Sequence, residues 1–436
     1  MPPGDIVYIP TYGTSIMILG SSKAIFELLD KRSAVTSSRR DTPMRHLDGI
    51  RDEWRRHRRA FWQHFTPNAT KRYLAIQSDF AHMFARKLLS DPSGLKQHVR
   101  YTFAGAIVKV AYGFTVGETN DKYITLMEKV TEGLQAFVPG RYLVEFLPIV
   151  RFVPPWMPGA RFHQDFAVWR GAADEARKGL YLRTKQGLES GETSQSVLAK
   201  LLETVGDEGH EREIAENVCM VAFEGGADTT YSTLQSFFLA MSLSPEIQHR
   251  AQAELHSVVG PDRLPTHDDR PALPYVNAII KESLRWQNVL PLGVHHTTTE
   301  DTVYDGYFIP KGTMLFPNTW TCLHDPEVFP DPDRFWPERF LGPDGQLDPA
   351  VRDPSKYTFG YGRRICPGKH FADASLFINM ATVLHVFDIS PPPDEDGKPV
   401  RIEPRMTNGI MSYPEDCRCT VTPRSQRARE LILEDH

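Results

Sequence analysis

Near the C-terminus one cysteine sits in a loop punctuated by glycine: Phe359-Gly360-Tyr361-Gly362-Arg363-Arg364-Ile365-Cys366-Pro367-Gly368. A long apolar stretch of helical spacing follows it. Desolvation alone drives a thiol towards its neutral form, so a buried thiolate needs positive charge and backbone N–H donors beside it. Gly360, Gly362 and Gly368 let the backbone curl round the sulfur where a Cβ would clash. Arg364 can supply positive charge or grip an anion. These are the requirements of a cysteine that binds iron through sulfur. A glycine-rich turn around an inert cysteine is the plainer alternative.

Three other groups could do chemistry or support it. Gly225-Gly226-Ala227-Asp228-Thr229-Thr230 lies inside an apolar pattern of helical spacing from Ile214 to Leu243. A glycine inside a helix costs about 1 kcal/mol, so two in the centre of a long buried helix indicate that something approaches its backbone. A threonine hydroxyl there can disturb the backbone ladder and hold a water; a kinked helix with an Asp-Thr-Thr cap is the plainer reading. In Trp54-Arg55-Arg56-His57-Arg58, Trp54 and Arg58 share a helical face and suit a carboxylate, unless they belong to a basic helix anchored by its tryptophan. Glu282 and Arg285, three apart, can pair on one face.

The elements that must position these residues are mostly helical. Helical spacing recurs over Ala69 to Leu89, Gln97 to Val110, Gln164 to Leu188 and Ile214 to Leu243, and Pro245 opens another helix to Val259. Ile6 to Ile9 and Ile16 to Leu19 read as strands joined at Tyr12-Gly13. Val303-Tyr304, Tyr307 to Ile309 and Met314 to Phe316 read as short strands divided by Asp305-Gly306 and Lys311-Gly312 turns. A proline-rich meander, Asp325 to Pro343, leads to the cysteine loop, and a helix follows it to about Phe387. Short strands end near Val421, and the polar residues from about 423 to 436 read as a frayed tail.

The 436 residues carry a formal net charge of −5, too little imbalance to suggest nucleic acid. Five cysteines (Cys219, Cys322, Cys366, Cys417, Cys419) make no disulfide framework; Cys417 and Cys419 read as alternate faces of a C-terminal strand. No stretch is apolar for long enough to span a bilayer.

The cysteine loop resembles the haem-binding loop of the cytochrome P450 family, Phe-x-x-Gly-x-Arg-x-Cys-x-Gly, at Phe359, Gly362, Arg364, Cys366 and Gly368. Gly225 to Thr230 resembles that family's oxygen-activation motif, and Glu282-x-x-Arg285 with Arg339 in Pro337-Glu338-Arg339-Phe340 resembles its structural triad. The resemblance covers roughly Ile6 to Val421. It implies a mainly α fold with small β-sheets, one catalytic domain over residues 1–436, and haem b between the long central helix and the cysteine loop. Cys366 would be the axial iron ligand, with Phe359 and Gly368 beside the haem. Asp228 and Thr229 would manage protons, with Gly225 and Gly226 leaving room for dioxygen and substrate. Trp54, Arg58, Arg364 and His296 would hold the haem propionates.

The implied activity is that of a haem-thiolate monooxygenase acting on an apolar organic substrate, in the manner of fungal members used in secondary metabolism. An isomerase or dehydratase on the same fold that uses no external oxygen is one alternative; Asp228-Thr229 speaks against it, since it needs no relay. A haem-binding remnant without turnover is the other. The resemblance also implies electrons from NADPH through a flavin-containing reductase, steered by a basic patch of Arg55, Arg56, Arg59, Arg363 and Lys369. Family members carry an N-terminal membrane helix before the first strands. This chain is expected to lack that anchor and to lie on the cytosolic side of the endoplasmic reticulum, peripheral or soluble. The stretch Tyr142 to Phe162 is either a membrane-surface contact or an ordinary buried loop. Only about fifteen residues separate Arg40 from Trp54, a short connection that would leave the substrate roof more open than in related enzymes.

Overall fold

Apolar spacing and helix stop signals divide most of the chain into helices. The structure, a computed structural model, describes residues 4–11, 14–40, 54–118, 120–136, 141, 142, 144, 148–157 and 159–434. The longer helices are α1 (Trp54–Phe65), α2 (Leu74–Ser90), α3 (Leu95–Tyr112), α4 (Lys122–Ala136), α5 (Phe162–Glu189), α6 (Val197–Val205), α7 (Gly209–Leu243), α8 (Pro245–Val259), α9 (Pro274–Trp286), α10 (Lys369–Val386) and α11 (Gln426–Leu433). α3 ends where Gly113 takes φ +86° and its N–H reaches the Lys109 carbonyl, a left-handed cap that a side chain would oppose. Pro245 and Pro274 open α8 and α9, where a missing N–H leaves no helical bond unmade. α7 is buried on all sides over its second half, with Leu234, Phe237, Phe238 and Met241 fully inaccessible, as befits a helix at the centre of a core. It packs against α3, α9 and α10.

The minor β-structure sits at the edges. β1 (Ile6–Thr11) pairs antiparallel with β2 (Thr14–Leu19), Ile6 opposite Leu19. β3 (His296–Thr297) lies antiparallel to β6 (Met314–Pro317), and β6 runs parallel to β2. β4 (Thr302–Tyr304) and β5 (Tyr307–Ile309) form a separate hairpin, turned by Asp305 and Gly306 at φ +50° and +81°, as a type I′ turn requires. β7 (Phe387–Ser390) pairs with β8 (Thr420–Pro423).

Two expectations are corrected. The tail does not fray: Gln426–Leu433 is helical and buries Ala428, Leu431 and Ile432, an apolar stripe hidden in a polar composition. Cys417 and Cys419 precede β8 rather than lying in it. Met314 to Phe316 is a strand as expected, and it joins the N-terminal sheet. The short connection before Trp54 falls on residues 41–53, outside the described residues.

The expected charge triad is present. Both side chains of the Glu282–Arg285 pair are 0% exposed, with bidentate contacts of 2.7 and 2.8 Å. Arg339 reaches Glu282 at 3.3 Å. A buried carboxylate holding two guanidinium groups cannot be removed without leaving uncompensated charge. Glu282→Ala is expected to cost about 3–5 kcal/mol, measured as a lower urea midpoint; an unchanged midpoint would contradict the role given to the triad.

Candidate functional site

The cysteine loop is closed by its own backbone. The Cys366 N–H donates to the Phe359 carbonyl at 2.6 Å, and Gly360 and Gly362 supply φ values of +77° and +52°. Gly362 is fixed by contact as well: a Cβ there would run into the Leu29 carbonyl and come within 2.9 Å of the Ser33 side chain. Cys366 has no disulfide partner and is half-buried. Burial pushes its thiol pKa up, while the Gly368 backbone N–H and the charges of Arg58 and Lys369 pull it down. The charge expected beside the sulfur therefore comes from Arg58 and Lys369. Arg364 turns the other way: its Nε donates to the Ser37 carbonyl at 2.7 Å and its guanidinium stacks 3.7 Å above the Trp54 ring.

Trp54 and Arg58 are both half-buried on one face of α1, whereas Arg55, Arg56 and Arg59 face outwards. Arg56 is paired with Glu211 of α7, so the outer basic face has fewer uncommitted charges than the sequence suggests. His296 is buried and its Nδ1 lies 2.9 Å from the Thr36 carbonyl. Burial, and then the charge of Arg39, depress its pKa to about 3, so the ring is neutral and its one N–H, on Nδ1, is given to that carbonyl. Trp54, Arg364 and His296 thus come together along the 36–38 segment, and the charge of Arg58 reaches Cys366.

α7 carries the second group of expected site residues. Thr229 Oγ1 donates back to the Gly225 carbonyl at 2.7 Å and Thr230 Oγ1 to that of Gly226 at 2.5 Å. The two glycines divide their roles. A Cβ on Gly225 would meet open space, whereas one on Gly226 would lie 3.2 Å from Ile107 of α3. Gly225 leaves the surface of α7 open beside it; Gly226 instead admits a neighbouring helix. Thr229 shares the face of Gly225, one turn away, and is half-buried. Asp228 does not lie on that face: it is 5% exposed and accepts a 2.5 Å bond from Thr131 of α4. Burial raises its pKa, against the Thr131 hydrogen bond and the Arg100 charge. The sequence reading missed Thr131 and Arg100, since contacts between helices leave no local motif. Val221, Leu292 and Val294 present about half of their apolar surface. The first lies one turn before Gly225 and the other two follow α9.

Among the described residues no three His, Cys, Asp or Glu side chains converge to hold a bare metal ion. The residues do suit an iron macrocycle with an anionic edge. They offer one thiol with a backbone N–H donor and cations, and a cluster of indole and guanidinium donors.

Comparison with known proteins agrees. The family model Cytochrome P450 matches residues 2–416. Cytochrome P450 monooxygenase COX2 of Coprinopsis cinerea is 40% identical, over 98% of this chain and 84% of its own length. Tryptamine 4-monooxygenase of Psilocybe cyanescens is 36% identical over 98% of this chain and 87% of its own. Cytochrome P450 monooxygenase ple1 of Rhodocybe pseudopiperita is 37% identical over 98% and 84%.

The buried histidines predict acid lability. His64, His267, His295, His324 and His385 are held down to about 4 and His296 to about 3, burial being the first cause in each. Unfolded, each titrates near 6.5. Between the two values the unfolded chain binds more protons, so stability is complete above about pH 6.5 and falls as pH drops towards 4. The thermal midpoint should be level between about pH 7 and 8 and decline steadily below 6.5; a level midpoint down to pH 5 would contradict it.

Proposed function

The chain belongs to the cytochrome P450 family, and on that premise we propose that Cys366 is the axial ligand of its haem iron and that Asp228 and Thr229 deliver protons to the distal side. The chemistry is haem-thiolate monooxygenation. The observation that carries the assignment is the cysteine loop, where the Gly368 N–H, Arg58 and Lys369 all favour the anionic form of a sulfur that burial would neutralise. Gly368 flanks that sulfur and Phe359 closes the loop through its carbonyl; Trp54, Arg58 and Arg364 hold the propionates through N–H donors, and His296 joins them only when its Nε2 is protonated. Bound haem supplies dioxygen activation and the transfer of one oxygen atom to substrate. The protein's own part is to fix the sulfur, to hold Thr229 on the open face of α7, and to supply a proton from Asp228.

The substrate is an apolar organic molecule, in keeping with the half-exposed Val221, Leu292 and Val294. Secondary metabolism is the setting we favour, on the names of the fungal relatives. Electrons come from NADPH through a flavin-containing reductase that meets the exposed Arg55, Arg59 and Arg363. No helix among the described residues is long and apolar enough to cross a membrane. Ile149, Phe152 and Trp156 are 75%, 72% and 79% exposed, so we assign the stretch after α4 to the surface of the endoplasmic reticulum membrane rather than to a buried loop.

Two variants test the assignment. The reduced carbon monoxide complex should show the red-shifted Soret band of thiolate ligation, and Cys366→Ser should abolish it; an ordinary Soret position in intact protein would sink the ligand. Asp228→Asn should keep the band yet lower product formation about 100-fold or more, the electrons from NADPH appearing as hydrogen peroxide.

A further inference from the structure

Asp228 and Thr229 are neighbours on α7, so their side chains point about 100° apart. Thr229 takes the face of the groove; Asp228 takes a polar pocket formed by three other segments. α4 contributes Thr131, which donates to Asp228 Oδ2 at 2.5 Å. α3 contributes Arg100, whose guanidinium lies 4.6 Å over the Tyr231 ring and pairs with Glu128 of α4 at 2.9 Å. The loop before β8 contributes Tyr413, held by Gln135 of α4 at 3.3 Å, with its ring 5.9 Å from that of Tyr231. Glu128 is 44% exposed and Arg100 27%, while Asp228 and Thr131 are buried. The cluster therefore runs from bulk water at Glu128 to the carboxyl group behind the oxygen-side wall.

We infer that Arg100 and Thr131 are positioning residues for Asp228, and that the Arg100–Glu128 pair is the solvent end of the route by which this acid regains its proton. The inference rests on the proposed role of Asp228 as proton donor. Only protons move. The Asp228 carboxyl gives up its proton towards the groove, the carboxylate left behind accepts from Thr131 and faces the Arg100 charge, and water admitted beside Glu128 returns a proton. Each part has a physical reason. A carboxyl buried without partners holds its proton too firmly to act as a donor. Burial does raise this group, and Thr131 and Arg100 are the two influences that oppose it. Arg100 stays charged throughout, so it sets the field and carries no proton. The charged and titratable groups that act on Asp228 are Arg100 across the helices and Tyr413 from the C-terminal loop; Glu128 and Tyr231 bear on it through Arg100.

The test uses haem-loaded enzyme and two readouts. The first is the infrared band of the protonated Asp228 carboxyl followed against pH, identified by its loss in D228N. R100Q and T131V should each move its midpoint upwards, by about one pH unit, and R100K and T131S should return it towards the starting value. The second is the cleavage of cumene hydroperoxide, which needs neither the reductase nor the natural substrate. Heterolysis needs a proton for the leaving alkoxide and yields cumyl alcohol; homolysis yields acetophenone. The alcohol-to-ketone ratio should fall severalfold in R100Q and T131V and recover in R100K and T131S. A midpoint unmoved in R100Q and T131V, or a moved midpoint with an unchanged ratio, overturns the positioning role. A wild-type ratio in D228N, or no carboxyl band lost there, overturns the donor role itself and this inference with it. The carbon monoxide band would then still report whether thiolate ligation stands.

Discussion

Arg285 has no access to water, and the protein must replace its whole hydration shell. Glu282 takes two of its N–H groups, the Leu323 carbonyl a third at 3.0 Å and the Arg334 carbonyl accepts at 3.2 Å, with the Phe329 ring 5.4 Å away. Glu282 also accepts from the Trp336 N–H at 2.7 Å and from Arg339, which itself donates to the Pro330 carbonyl at 2.7 Å. One buried carboxylate thus fastens α9 to the meander between residues 323 and 340. An irregular segment has no ladder of its own to satisfy its backbone, and here guanidinium groups take that task.

The consequence reaches the cysteine. The segment after the meander returns to α9 and the turn that follows it: Lys281 pairs with Asp353 at 2.6 Å, and Thr358 binds Asn288 at 3.1 Å and the Leu284 carbonyl at 3.3 Å. Phe359 follows immediately and accepts the Cys366 N–H. The sulfur is therefore positioned by a chain of polar contacts that begins at Glu282 and ends one residue before the loop. On the other side Gly362 presses against Leu29 and Ser33, so the loop is held between α9 and the segment that follows β2. A thiolate whose partners are fixed N–H groups and cations gains most when those partners need no reorganisation.

The helices were legible because they depend on local spacing: Gln164 to Leu188 became Phe162–Glu189, and Ile214 to Leu243 became the larger part of Gly209–Leu243. The charge triad and the cysteine loop were legible because their chemistry demands particular residues at short intervals. What escaped was set between segments. The two adjacent glycines look equivalent in the chain, and only the approach of Ile107 separates Gly226 from Gly225. Arg364 is within two residues of Cys366, yet Ser37 and Trp54 draw it away, while Arg58, hundreds of positions earlier, supplies the charge. α11 has the composition of a tail, because three buried residues, Ala428, Leu431 and Ile432, are few among polar neighbours; packing beside α2 and α10 decides it.

The two walls of the site solve opposite electrostatic problems. On the cysteine side an anion must be favoured against burial, and the answer is cations and an N–H at short range. On the α7 side the carboxyl proposed as proton donor must be able both to hold and to release a proton, so full stabilisation of its anion would be a defect. Arg100 acts there with its charge shared with Glu128 and partly open to water, a weaker influence than a dry bidentate pair such as Arg285 and Glu282. The same residue type serves as a permanent clamp beneath the site and as a moderating field behind it. Burial, not residue identity, separates the two uses: a guanidinium with no water must be fully matched by protein acceptors and locks structure, whereas one that keeps part of its hydration can bias a neighbouring proton equilibrium without fixing it.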